Sequence, residues 1–394
     1  MGWLFLDCTP QGAMVKADHP TGEIFHGAVG WPFKSLPGVF KTAPFLRMKI
    51  LIASYVFHPL LGGIATSSSL IAQELAAAGN EVRVVTTTAG DDLPAANYRL
   101  VRRPGIIGLW RQVAWCDVFL SVHLSVRLAW PLMLMRRPWV IAHHSWLTQN
   151  DGSIGWTERF KRRLLRRASC ISVSQAVADH VDTPSVVIGP PYNDAMFWRD
   201  PSISRTRQLL FVGRLVSSKG LELLLEALAE LRRQGRSPGL TIVGGGPEME
   251  PAKKLAHRLG VADEVEFTGP RTGAELREIY CRHHILVVPS ITPETFGIVA
   301  LEGIACGCVV VGSEGAGGLT DAIGACGVRF PMGDAHLLAE RLAELLEHPE
   351  QLARYQTHAA EHARRFTASR VSGLYLKIIQ DSFAAFQAGT KMLP

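Results

Sequence analysis

Hydrophobic and polar positions follow two rhythms along this chain. Short apolar runs bounded by Gly, Pro or polar residues occur at 48–53, 81–86, 118–122, 139–142, 186–188, 208–212, 240–243, 265–268, 285–288 and 308–312. Between several of them lie longer stretches with apolar positions three and four apart, as at 64–78, 221–233 and from Ala335 onwards. The runs predict strands and the longer stretches predict helices; their alternation is the pattern of a parallel α/β sheet. The pattern pauses at Trp198–Thr206, polar and without period, and then restarts. Two domains follow, 48–200 and 201–371, with a last helix from Ser372 to Gln387 in the segment 372–394. Residues 1–47 contain Gly, Pro and isolated aromatics without a period and are expected to be a poorly ordered extension.

Composition narrows the class. Of 394 residues, 47% are hydrophobic and 19% charged, an ordinary soluble balance. No uninterrupted apolar run approaches the ~18 residues of a membrane span. Asp7 and the lack of a basic lead-in argue against a secretory signal. Seven scattered cysteines without a C-x-x-C point to reduced thiols in a cytoplasm. A net charge of +6 suits anionic ligands or an anionic membrane surface.

Candidate chemistry concentrates in Pro289–Gly312, PSITPETFGIVALEGIACGCVVVG. A strand ends before it, a loop carries Glu294, a helix is expected from Phe296–Gly297, and Glu302 lies about two turns into that helix. Ligands of parallel sheets bind beyond the carboxyl ends of strands. A helix N-terminus there offers free N–H groups and partial positive charge. An anion cradle flanked by two hydrogen-bond-accepting acids matches a sugar nucleotide, a diphosphate with a hydroxyl-rich ring on either side.

The segment E-T-F-G-I-V-A-L-E, Glu294 to Glu302, resembles the paired-glutamate signature of the retaining glycosyltransferases of family GT4. Further motifs occur in the family's order over Met48 to about Gln387. Gly62-Gly63, after the first strand, resembles the turn that approaches the donor phosphate or acceptor. Gly213-Arg214 through Lys219-Gly220 resembles the motif whose Arg and Lys neutralise the diphosphate. Val243-Gly-Gly-Gly-Pro-Glu248 and Phe267-Thr-Gly-Pro270 also resemble family segments, the second near the nucleotide base. Gly189-Pro-Pro-Tyr-Asn-Asp194 departs from the usual Asn-Gly turn. A strand near 139–146 ends in His143 and His144; the family places a donor-facing histidine there. His144 matches best, with His143 adjacent in register and His123 a weaker candidate.

The resemblance implies a GT-B architecture: α/β, two Rossmann-like domains with parallel sheets facing a central cleft, the acceptor side first and the donor side second. It implies Glu294 and His144 at the reacting sugar. Gly62, Gly63, Arg214, Lys219, Gly297, Ile298, Val299 and Glu302 would then hold the donor, with Glu302 on the ribose. No D-x-D occurs, so metal-independent transfer is expected, with a nucleotide-diphosphate sugar as co-substrate and no other cofactor. The acceptor would be a saccharide or a lipid-linked molecule, in cell-surface polysaccharide or glycolipid synthesis.

Residues 158–169 place six Lys or Arg within nine residues, beside Phe160, Leu164 and Leu165. A basic amphipathic helix either stands in solvent or binds an anionic membrane surface, each charge contributing about 1 kcal/mol near lipid. Lipid-linked acceptors favour the second reading, at the inner face of the plasma membrane. Nucleic acid is not expected, since basic and aromatic residues do not interleave. A sugar-nucleotide 2-epimerase of GT-B fold and an NAD-dependent dehydrogenase remain alternatives; a G-x-G-x-x-G is missing from the first turn.

Overall fold

The computed structural model describes residues 47–60, 62–90, 96–147 and 155–389, the side chains of Thr157 and Glu158 excepted. The extension expected at 1–47 lies outside them but for Arg47, as does the tail 390–394.

Seven parallel strands make the first sheet: β1 (Lys49–Ser54), β2 (Glu81–Thr86), β3 (Arg99–Arg102), β4 (Val118–Val122), β5 (Trp139–His143), β6 (Ser169–Ser172) and β7 (Ser185–Val187). Their order is β3-β2-β1-β4-β5-β6-β7. Alternate residues enter different cores, because successive side chains of a strand point to opposite faces. Phe119, Trp139 and Ile141 pack on one side with Val113, Leu164 and Val177. Leu120, Val140 and Ala142 pack on the other with Tyr375 and Ile379.

Six parallel strands make the second sheet: β8 (Arg207–Val212), β9 (Leu240–Val243), β10 (Val265–Gly269), β11 (His283–Val288), β12 (Val309–Glu314) and β13 (Gly327–Pro331). Their order is β10-β9-β8-β11-β12-β13. The chain order reverses between β1 and β4 in one sheet and between β8 and β11 in the other. At such a switch point the neighbouring loops diverge and leave a crevice at the carboxyl ends of the strands. The α/β reading with two Rossmann-like domains is thus borne out.

Two crossings join the lobes. Residues 189–206 lead from the first to the second, and Tyr192 N–H donates to the Phe366 carbonyl at 3.1 Å beside the return crossing. The final helix, Ala368–Gln387, then lies on the first lobe, burying Val371, Tyr375, Leu376 and Ile379 against its sheet.

The basic segment folds as a helix over Trp156–Leu165, so Arg166 and Arg167 lie beyond it. Leu164 and Leu165 are buried, whereas Trp156 and Phe160 are exposed. Arg162 turns inward and donates to the carbonyls of Val181 and His180 at 2.8 and 3.0 Å. The apolar side expected from spacing is therefore divided between core and solvent.

Candidate functional site

The carboxyl ends of β8 and β11 are neighbours, and their loops interlock. After β8 the chain runs through Arg214 into a tight turn, Ser217–Lys219, closed by Gly220 in the left-handed region at φ 68°. A Cβ at Gly220 would stand 1.9 Å from the Pro289 carbonyl oxygen, so only glycine permits this approach. Ile291 N–H donates to the Ser218 carbonyl at 3.0 Å and closes the contact.

That closure brings Lys219 Nζ to 3.0 Å from Glu294 Oε1. Ser290 Oγ donates to the same carboxylate oxygen. The Glu294 backbone is clamped as well: its N–H donates to Ala316 at 3.1 Å, and its carbonyl accepts from Gly318 at 2.8 Å. Three residues later Gly297, at φ 100°, opens the helix Ile298–Ala305 without a side-chain cap. Its first N–H groups lack intrahelical partners by construction. The helix begins slightly later than the sequence suggests, because the left-handed Gly297 stands outside it.

Glu302 lies deeper. Its carboxyl is buried and accepts from the Tyr280 hydroxyl at 3.1 Å. Burial pushes it up to about 7, and the Tyr280 hydrogen bond opposes that rise. Arg214 shares the β8 loop with Lys219 but is exposed, and its side chain has no hydrogen bond or ion pair among the described residues. Near them the triple-glycine loop after β9 meets the β10 loop, with Gly244 N–H donating to the Gly269 carbonyl at 3.0 Å.

The first lobe closes over this loop. Ile298 Cδ1 lies 3.1 Å from where a Cβ on Gly63 would stand. Trp146 Nε1–H donates to the Pro293 carbonyl at 3.2 Å. Gln175 N–H donates to Asp321 Oδ2 at 3.1 Å. Gly62 stands at the N-cap of the helix Gly63–Ala77, in the connection that follows β1 at the first lobe's switch point.

The histidines divide by strand parity. His143 ends β5 and is fully buried, with neither ring nitrogen partnered. His144 faces the opposite side, its Nε2 at 3.3 Å from the Tyr375 hydroxyl. His123, left-handed at φ 65°, has Nδ1 2.7 Å from Ser145 Oγ. Burial pushes His143 and His144 down to about 3 and His123 to about 4, so all three are neutral imidazoles at pH 7.

The geometry therefore joins Lys219, Glu294, Gly297, Ile298 and Gly63 around one interlobe crevice. It leaves Arg214 exposed at the rim of the same loop and Glu302 on a buried tyrosine. Sequence reasoning missed Ser290, Trp146, Tyr280 and Tyr375. Each looks like an ordinary loop or core residue, and only Ser290, four residues before Glu294, carried a local signal. A separate cavity of about 410 Å³ behind the Ser217–Gly220 turn is lined by Glu222, Glu226 and Glu248. Three carboxylates against the single cation Arg258 make it a poor host for a diphosphate.

Residues 194–362 match the family glycosyl transferases group 1. D-inositol 3-phosphate glycosyltransferase 2 of Catenulispora acidiphila is 40% identical over 188 residues. That match covers 44% of this chain and 44% of the relative, so the shared segment spans less than half the relative's length. Sucrose-phosphate synthase from Thermosynechococcus elongatus superposes with a TM-score of 0.73 at 22% identity, over 86% of this chain and 100% of that one. Anabaena HepE, solved in complex with UDP-glucose, superposes with a TM-score of 0.70 at 20% identity, over 85% of this chain and 100% of that one. At these identities the likeness shows the fold.

Proposed function

Because residues 194–362 belong to the glycosyl transferases group 1 and both lobes follow the GT-B arrangement, we propose that this protein transfers a sugar from a nucleotide-diphosphate sugar to an acceptor hydroxyl, with retention of configuration. The observation that carries this reading is the Lys219–Glu294 contact at the tip of an uncapped helix in the interlobe crevice.

In this reading the diphosphate displaces Glu294 from Lys219. Lys219, the N–H groups at Gly297–Val299 and the free-standing Arg214 then neutralise it, the electrostatic role that leads in such transfers. Glu294, clamped by its backbone, accepts from hydroxyls of the transferred sugar. Glu302 accepts from the ribose. His144, neutral and held by Tyr375, supplies a hydrogen bond beside the reacting carbon rather than a charge. In this reading no side chain acts as nucleophile; as the acceptor oxygen bonds the reacting carbon and that carbon's bond to the phosphate oxygen breaks, the leaving phosphate takes the acceptor proton on the face it departs from. The cations and helix tip take the place of a metal on the diphosphate, so transfer should persist in EDTA.

The HepE complex supports testing UDP-glucose first as donor. The acceptor is a saccharide or a lipid-linked molecule of a cell-surface polysaccharide or glycolipid. Exposed Arg159, Arg163, Arg166 and Arg167, with Trp156 and Phe160 beside them, support contact with an anionic membrane at the cytoplasmic face. Among the described residues no helix is long and apolar enough to cross a membrane.

The deciding experiment is a thermal-shift screen with UDP-, GDP- and ADP-sugars, followed by transfer assays on the donor that binds. Absence of a shift with every donor would overturn the reading.

A further inference from the structure

Resting on the reading of Glu302 as the ribose acid, we propose that Tyr280 is a positioning residue: its hydroxyl fixes one oxygen of Glu302 so that the other accepts from the ribose diol of the donor nucleotide. The two side chains come from different helices, Gly273–Arg282 and Ile298–Ala305, and meet with Tyr280 Oη 3.1 Å from Glu302 Oε2. Tyr280 is fully buried. Phe197 of the interlobe linker lies edge-on to its ring at 5.8 Å and 86°. Cys308 Sγ donates to its carbonyl at 3.1 Å. The ring is thus packed edge-on against Phe197 and its backbone is tied to Cys308, which restricts how far the phenol can follow the carboxylate.

A glutamate has three side-chain torsions, and a carboxylate accepts hydrogen bonds through both oxygens. One immobile donor therefore orients the remaining lone pairs. The same donor favours the ionised form against the cost of burial, and only the ionised form accepts freely from two hydroxyls. The titratable groups around this pair are Cys306 at the end of the Glu302 helix, Cys281 beside Tyr280, and Cys308 just before β12; Arg199 and Arg205 of the linker lie near these thiols. Cys281 is held low, at about 6, by a hydrogen bond from Cys306 and by Arg199.

The test is titration calorimetry of the full chain with UDP, ADP and GDP and with their 2′-deoxy counterparts, from pH 5.5 to 9. In the wild type, the tightest-binding nucleotide should lose about tenfold in affinity without its 2′-hydroxyl. Tyr280→Phe should weaken the ribonucleotide by about fivefold or more and become nearly indifferent to the 2′-hydroxyl. Its affinity should also reach its alkaline plateau at higher pH, because the carboxyl keeps its proton longer. Tyr280→3-fluorotyrosine keeps the ring and strengthens the donor, so it should move the midpoint down; it serves also if the phenylalanine variant does not fold. Cys281→Ser should leave the midpoint in place.

Equal weakening of ribo- and deoxyribonucleotide with an unmoved midpoint would assign Tyr280 to packing alone and overturn the proposal. Glu302→Gln separates the two levels. If it retains 2′-hydroxyl discrimination, the ribose assignment itself falls. If it loses discrimination while Tyr280→Phe keeps it, only the positioning role falls.

Discussion

Lys219 Nζ stands 3.0 Å from Glu294 Oε1, although the two residues come from loops on different strands. Lysine and carboxylate neutralise each other across the two loops, and both side chains are largely shielded from water. In the proposed function, donor binding would exchange this pair for two others, phosphate on the lysine and sugar hydroxyls on the acid. Lys219→Ala should weaken nucleoside diphosphate binding by about tenfold, the scale of one charge-assisted hydrogen bond. Glu294→Ala should retain UDP binding and the fold but lose about 100-fold or more in turnover, as when a transition-state hydrogen bond is removed. Calorimetry and steady-state transfer assays separate the two; full turnover by Glu294→Ala would remove that residue from the site.

The contact at Gly220 makes the crevice sensitive to a single methyl group. Ala at this position collides with the Pro289 carbonyl and is strained at φ 68°. Gly220→Ala should cost about 2 kcal/mol or more in stability. Because the collision pushes the two loops apart, donor affinity should fall with it. Urea denaturation reads the first effect and nucleotide titration the second.

Glu302 gives stability a pH dependence of unusual sign for an acid. Its folded carboxyl sits at about 7, above its unfolded value, so the folded state holds a proton that the unfolded state has released. Stability from this group is present below the unfolded value and lost as pH rises to about 7. Glu302→Gln removes that loss. Relative to the wild type it should gain between pH 5 and 7.5, by at most on the order of 3 kcal/mol. Parallel urea melts at pH 5 and pH 7.5 test this; a constant difference would contradict it.

The three buried histidines act in the other direction. His123, His143 and His144 stay neutral in the fold down to about 4 or below, while the unfolded chain protonates them near 6.5. Stability is therefore lost as pH falls through 6.5, approaching about 4 kcal/mol per pH unit while all three differ between states. Acid denaturation followed by circular dichroism should be steep below pH 6, and His143→Phe should make it shallower. His144→Ala should lower turnover without moving the acid limb of the rate profile, because His144 does not titrate there.

The membrane reading has its own test. Replacing Arg159, Arg163, Arg166 and Arg167 together by Gln should cost about 1 kcal/mol per charge in binding to phosphatidylglycerol vesicles. Binding to phosphatidylcholine vesicles should be weak for both proteins, and salt should erase the difference. Co-sedimentation measures all three. Equal binding of the two proteins to anionic vesicles would refute the membrane role of this helix.

Much of the architecture was legible in the linear chain. Apolar runs at 50–53, 285–288 and 308–312 marked strands, and the polar pause at 198–206 marked the restart of a second domain. The α/β class and the family resemblance were borne out, because burial between helical layers imprints itself locally on each strand. The Pro289–Gly312 stretch also showed its strand, acid loop and helix in order, since loop glycines and flanking periodicity are local properties.

What the linear chain alone determined was therefore which elements form and which side chains stand at their ends. Only the tertiary structure decided which ends are neighbours. Periodicity does not encode that β8 lies beside β11, yet this adjacency sets Lys219 against Glu294. Nor does it encode that two residues 22 apart on different helices, Tyr280 and Glu302, meet, or that His143 at the end of β5 is fully buried while His144 just after it reaches Tyr375 on the last helix. Those contacts depend on packing between distant segments, where many small energies add over a whole interface and no short stretch of residues carries the decision.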